Sequence, residues 1–142
     1  MDIDKLKSEA AKGSTGAQTL LGMFYLDGIG IEQDFQEAFR WLSSAAEKGA
    51  SRAVVNLGAM YENGFGVEQD LARAIELYQT AAARNEFMAF ILLARIYAQG
   101  KGMPPQPEKA RHYYREALAF QVSGMAAEEL DEARQYLRIT EN

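Results

Sequence analysis

The sequence predicts an all-α fold, a right-handed α-solenoid of antiparallel helix pairs, and three observations carry that prediction. Residue types recur at a fixed interval of 36. Each interval divides into two stretches with apolar residues at helical spacing, and a glycine-bearing turn stands between the two. The interval shows in Tyr25, Tyr61 and Tyr97, in Gly28, Gly64 and Gly100, and in Gly30, Gly66 and Gly102. It shows again in Leu21, Leu57 and Leu93, in Ala38, Ala74 and Ala110, and in Ala45, Ala81 and Ala117. Aligned without gaps, residues 17–52 and 53–88 share 12 identities in 36 positions, and 53–88 and 89–124 share 9, where composition accounts for about two or three.

The elements follow in order. Subtracting 36 places Gly13 under Gly49 and Ala10 under Ala46, so residues 2–12 read as an isolated second helix, and 2–16 as an amino-terminal cap. In the first repeat, 17–52, Ala17, Leu21, Phe24 and Tyr25 lie on one helical stripe. The turn from Gly28 follows, with two glycines able to take positive φ cheaply. Asp34 stands at an N-cap position and Glu37, three residues on, completes a capping-box pattern. The second helix carries Ala38, Trp41, Leu42, Ala45 and Ala46 on its inner face, and Gly49 ends it as a C′ residue. Small residues at Gly22, Gly58, Ala45, Ala46, Ala81 and Ala82 let neighbouring helices approach closely. The second repeat, 53–88, copies this plan. The third, 89–124, departs from it: Gly58 becomes Ala94, the Asp cap becomes Gln106, and Met103-Pro-Pro-Gln-Pro replaces the turn, with Pro107 opening the next helix at N1. Residues 126–139 form a last helix with Ala126, Leu130, Ala133 and Leu137 on one face. Glu128, Glu129, Asp131, Glu132, Arg134 and Arg138 make the polar exterior of a carboxy-terminal cap, 125–142. The whole chain, 1–142, reads as a single solenoid domain.

Composition narrows the function. The chain has 15 Lys and Arg against 20 Asp and Glu, a net charge of −5, so its surface repels a phosphate backbone and anionic membranes. There is no cysteine, which removes disulfides, thiolate metal sites and a cysteine nucleophile. The first ten residues carry charges where a signal peptide needs an apolar run, and no stretch approaches the roughly 18 apolar residues of a membrane span. A soluble, cytoplasmic protein is expected. The one histidine, His112, has no cysteine partners for zinc and reads as a surface or partly buried side chain. No nucleophile elbow, phosphate loop or dinucleotide fingerprint occurs. The Gly28-Ile-Gly type turns belong to the repeat, and Glu128-Glu129 reads as a solvated helix face. Trp41 and the Tyr113-Tyr114 pair stand at helical core spacing. No cofactor and no catalysis are expected.

At this point the motif is specific. The pattern Ala53, Leu57, Gly58, Tyr61, Gly64, Gly66, Val67, Asp70, Ala74, Ala81 and Ala82 resembles the Sel1-like repeat, a relative of the tetratricopeptide repeat. The first repeat matches nearly as well, with Ile31 in the valine place and Trp41 in the family's aromatic place, and the resemblance covers about residues 17–124. It implies a protein-interaction scaffold whose curved inner surface, lined by the first helix of each pair, takes a partner. Some bacterial relatives are linked to β-lactam binding or hydrolysis, but those are secreted and carry paired cysteines in each repeat. This chain has none, so that activity does not carry over.

Geometry selects the residues of such a face. With Leu21 and Tyr25 inward, steps of about 100° put positions 19, 23 and 26 on the opposite side of the first helix. The expected partner-binding residues are Thr19, Leu20, Met23 and Leu26, then Val55, Asn56, Ala59 and Glu62, then Ile91, Leu92, Arg95 and Gln99. An apolar strip rimmed by polar groups suits an interaction surface. Packing between adjacent first helices is the competing explanation for Leu20, Val55 and Leu92. Asn56 stands where family repeats often place an asparagine whose amide holds a partner's backbone, but Leu20 and Leu92 replace it in the other repeats. A partner that offers apolar side chains is therefore expected. The reading is a monomeric, non-enzymatic adaptor that grips a protein or peptide segment. A toxin-neutralising immunity or inhibitor protein is its alternative, and a dimer through the amino-terminal helix the other assembly.

Overall fold

The computed structural model describes residues 2–120 and 126–141, and among them there are eight α-helices and no strand. They are α1 (Ile3–Ala11), α2 (Thr15–Asp27), α3 (Phe35–Glu47), α4 (Ser51–Asn63), α5 (Leu71–Ala83), α6 (Phe87–Gln99), α7 (Pro107–Leu118) and α8 (Ala127–Thr140). The starts of α2, α4 and α6, and those of α3, α5 and α7, keep the interval of 36 read from the sequence. The expected end of the third repeat at 124 and start of the terminal cap at 125 lie outside the described residues. The chain divides into two compact units, residues 1–81 and 82–142.

In the first unit, α1 packs on α2, α2 on α3 and α3 on α4. Leu6, Ala10, Ala17 and Leu21 form one buried cluster, with Leu20, Phe24, Tyr25 and Trp41 against it. Ala38, Leu42, Ala45, Ala53, Leu57 and Met60 form the next. Removing a leucine such as Leu21 or Leu42 from water contributes about 1.5–3 kcal/mol, which is why these short helices hold. Glycine makes the close approach. A Cβ on Gly22 would stand 2.6 Å from Leu42 Cγ, and one on Gly58 would stand 2.5 Å from Tyr78 Cε1.

The turns are built identically. Gly28 and Gly64 end α2 and α4 in the left-handed conformation, with φ of 68° and 70°. The chain then returns so that the Asp34 N–H donates to the Tyr25 carbonyl and the Asp70 N–H to the Tyr61 carbonyl, both at 2.9 Å. Gln33 and Gln69 brace the turn by donating from Nε2 to the carbonyls of Leu26 and Glu62, each at 2.8 Å. This bond pattern explains why tyrosine, glycine and aspartate recur at fixed distances.

Asp34 is the N-cap of α3: its carboxylate accepts from the N–H groups of Gln36 and Glu37 at 3.0 and 3.1 Å. The reciprocal half of the capping box is not made. The Asp34 N–H is already committed to Tyr25, and Glu37 instead meets Arg40 at 3.5 Å. Asp34→Ala is therefore expected to cost about 1 kcal/mol, the price of one cap, read as a lower urea midpoint with an unchanged m-value. A cost near zero would show that the backbone bond to Tyr25 alone sets the start of α3.

Gly49 follows α3 at φ 90° as the expected C′ residue, and Asn85 holds the same repeat position with φ 64°. Asparagine is among the few side chains that visit this region.

In the second unit α6 packs on α7 and α7 on α8. Ile91, Ala94, Tyr114, Ala117, Ala133 and Leu137 are its buried cluster. The Gln106 N–H donates to the Tyr97 carbonyl at 2.8 Å, as in the other turns, but Pro105 takes the place of the bracing glutamine. Pro107 opens α7, and Gln106 gives it no side-chain cap. Glu132, expected on the polar exterior of the last helix, is half-buried and clasped by Arg95 and Tyr114. A carboxylate can leave water there because charge-assisted donors replace its hydration. No described helix is long and apolar enough to cross a membrane.

Candidate protein-binding face

The first helices position the expected residues as follows. On α2, Leu20, Met23 and Leu26 are half-buried. Leu20 lies against the cluster shared with α1, whereas Met23 and Leu26 lie against the cluster of Ala38, Leu42 and Leu57. Packing therefore claims part of each side chain. Thr19 corrects the expectation. It is buried, and its hydroxyl donates to the Thr15 carbonyl one turn back at 2.9 Å, so its polar group is satisfied without solvent or partner.

On α4, Val55, Asn56, Ala59 and Glu62 are half-buried. Asn56 donates from Nδ2 to the Arg52 carbonyl of its own helix at 2.8 Å, which engages one of the two N–H groups of the amide expected to hold a partner's backbone. Glu62 accepts from the Tyr78 hydroxyl at 2.8 Å. Burial pushes the Tyr78 phenol well above its ordinary value, and the carboxylate of Glu62 adds to that rise.

On α6, Ile91 is a second correction. It is fully buried in the cluster that includes Ala133 and Leu137 of α8, so the terminal helix removes it from any surface. Leu92 is half-buried and Gln99 is exposed. Arg95 is engaged within the unit: its Nε and Nη2 donate to the two oxygens of Glu132 at 2.9 and 2.7 Å. The Tyr114 hydroxyl donates to the same carboxylate at 2.6 Å. The Arg95 hydrogen bond holds the Glu132 carboxyl below the usual range, and burial raises the Tyr114 phenol.

The face that remains open to a partner is therefore narrower than the pattern implied. In the first unit Met23, Leu26, Val55 and Ala59 offer apolar surface beside Asn56 and Glu62. In the second, Leu92 and Gln99 stand beside an arginine already holding a carboxylate. His112 is exposed, edge-on to Tyr113 at 5.2 Å. Among the described residues no group of three or more His, Cys, Asp or Glu is gathered in a way that could hold a metal ion.

Periodicity alone missed the tyrosine pairs, although a signal for them was present. Leu42, Tyr78 and Tyr114 occupy one repeat position, so the core leucine of the first repeat becomes a buried phenol in the next two. A buried hydroxyl needs a partner. Glu62 supplies it in the second repeat. In the third, Ala98 stands in that place, and Tyr114 turns to Glu132.

Residues 15–49, 51–86 and 91–119 each match the family model described as Sel1 repeat. Among solved structures, a Sel1 repeat protein from Oxalobacter formigenes is 35% identical over 94% of this chain and 98% of its own, with a TM-score of 0.70. The protein c5321, a protective antigen present in uropathogenic Escherichia coli strains and displaying an SLR fold, is 33% identical over 82% of this chain, with a TM-score of 0.74. The match spans only 25% of the antigen's own length. Helicobacter pylori cysteine rich protein B is 27% identical over 84% of this chain and 90% of its own, with a TM-score of 0.63. No curated protein matches the chain.

Proposed function

Because the chain belongs to the Sel1 repeat family, whose members are generally protein-interaction modules, we propose that it is a non-enzymatic adaptor that holds a segment of a partner protein against its first helices. The carrying observation is the half-buried apolar group on α2 and α4, Met23, Leu26, Val55 and Ala59, flanked by polar Asn56 and Glu62. Side chains that are wholly core would be covered on all sides, and side chains that only face water would not be apolar at four places in two successive repeats. The partner segment in this reading is amphipathic, placing apolar side chains on that group and polar ones at its rim.

The test uses a face variant with Met23→Gln and Ala59→Glu, two equivalent repeat positions. Partners captured by the wild-type protein are identified by mass spectrometry, purified, and titrated against both proteins by calorimetry. Affinity is expected to fall about tenfold or more, as for loss of a central contact, while the far-UV spectrum keeps its helical form. Equal affinity for the two proteins would remove α2 and α4 from the binding face. Arg95 is left intact in this variant because its charge already serves Glu132. In this reading the protein works as a cytoplasmic monomer, to be checked by cell fractionation and by sedimentation.

A further inference from the structure

The last helix combines few buried side chains with several charged contacts to the helices before it. α6 buries six side chains, including Ile91, Leu93 and Ile96, whereas α8 buries only Ala133 and Leu137. Its N-cap, Ala126, makes no side-chain cap. What α8 lacks in apolar contact it has in charge. The Arg95 fork and the Tyr114 hydroxyl converge on Glu132 at its middle. At its carboxy-terminal end Arg111 Nη1 approaches the Thr140 carbonyl at 3.5 Å and Arg115 pairs with Glu141. Two arginines of α7 thus stand where the helix dipole is negative.

We propose that α8 is a charge-held latch, a terminal helix that undocks from α6 and α7 as a unit when its ion pairs are broken and uncovers Arg95 and the Tyr114 hydroxyl. The geometry that favours this is the division of labour. Of the six residues in the apolar cluster, Ile91, Ala94, Tyr114 and Ala117 come from α6 and α7, and α8 adds only Ala133 and Leu137. The Arg95 and Glu132 side chains keep 35% and 33% of their exposure, enough for salt to screen the pair. Arg95 from α6 and Tyr114 from α7 face Glu132, while Glu129 of α8 acts on Arg95 and Tyr136 of α8 lies against the Tyr114 ring. The Glu132 carboxyl is held below the ordinary value of 4.5, so the latch contributes its full hold above that pH and loses it as pH falls through the depressed value. The latch is independent of the binding face on α2 and α4.

Hydrogen exchange of the full-length chain, read helix by helix, tests it. In the wild type, α8 amides are expected to exchange faster than those of α6 and α7, and faster still on going from about 0.05 M to about 1 M NaCl. Glu132→Gln, which keeps shape and removes charge, is expected to speed α8 exchange about ten- to a hundredfold and to weaken its salt dependence, the Arg115–Glu141 pair remaining. Protection of α6 and α7 should not change in either case. Arg95→Met should reproduce the effect from the other side. Exchange of α8 in step with α6 and α7 under every condition would overturn the latch, as would indifference of α8 to both substitutions. Loss of protection throughout the second unit in Glu132→Gln would overturn it too, by showing that α8 is an integral part of that core.

Discussion

Tyr78→Ala is expected to lower the stability of the protein by about 3–5 kcal/mol, the cost of deleting a fully buried aromatic side chain. Tyr78 has no exposed surface, lies against the bare backbone of Gly58 and donates its hydroxyl to Glu62. Deleting it removes the packing and leaves a cavity beside a glycine that has no side chain to fill it. A stability of about 5–15 kcal/mol, usual for natural domains, would lose a large share. Tyr78→Phe separates the two contributions. It keeps the ring and removes one donor from a carboxylate, at about 1.5–3 kcal/mol.

The same pair predicts a pH dependence. The folded-state phenol is raised above its ordinary value of 10.0, so the unfolded chain gives up that proton first. The contribution of Tyr78 is therefore fully present below pH 10 and is lost as pH rises past it, and Tyr78→Phe should flatten this alkaline limb. Urea unfolding at several pH values measures all three effects. A loss under about 1 kcal/mol for Tyr78→Ala would show that the helix pair repacks without it.

Gly66→Asn is expected to cost about 3 kcal/mol, and Gly49→Asn much less, although both sites have positive φ. Asn85 shows that an asparagine is accommodated at the repeat position of Gly49, and a Cβ on Gly49 meets nothing within 4 Å. At Gly66 the Cβ would stand 2.7 Å from Phe35 Cβ and 3.1 Å from the Phe35 carbonyl oxygen. Backbone cannot swing aside as a flexible side-chain end can. The Phe35 ring is also stacked on Phe65 at 5.0 Å, so its displacement would disturb the aromatic pair that joins the second turn to α3. Equal costs at the two sites would mean that φ alone sets the requirement for glycine. Unfolding midpoints of the two variants, with Gly66→Ala as the smallest probe of the clash, decide the matter.

Gly49 and Gly66 look alike in the sequence, each a glycine that ends or follows a helix. The recurrence of Gly64 and Gly66 announces a turn, and the structure agrees, because a left-handed residue after a helix is a local requirement. What the second glycine of the turn approaches is not local. Phe35 lies 31 residues earlier, and only the packing of the second turn on α3 brings them together. The capping box failed for a related reason. Asp34 and Glu37 have the right spacing, but the N–H that Glu37 would accept is taken by Tyr25, a residue on the preceding helix.

The candidate face divides along the same line. Helical periodicity selected positions opposite Leu21 and Tyr25, and most of them, Met23, Leu26, Val55, Asn56 and Ala59 among them, retain partial exposure. Thr19 and Ile91 do not. A helix enclosed on more than one side has a buried arc wider than the stripe that period 3.6 picks out, and its width depends on which helices arrive beside it. Arg95 was read as a contact for a partner, yet Glu132, 37 positions later, neutralises it within the chain.

By itself, the sequence determined the helical pairs, their interval of 36, the Asp34 cap and the glycine turns, because each depends on residues within about one helical turn or on a pattern that recurs in register. Tertiary structure alone decided which outward positions stay open, which glycines touch a neighbour, and that Glu132 of α8 is clasped by Arg95 and Tyr114. Those properties depend on atoms brought together from distant parts of the chain. Their direction is set when one helix packs against another, and no spacing along the sequence encodes it.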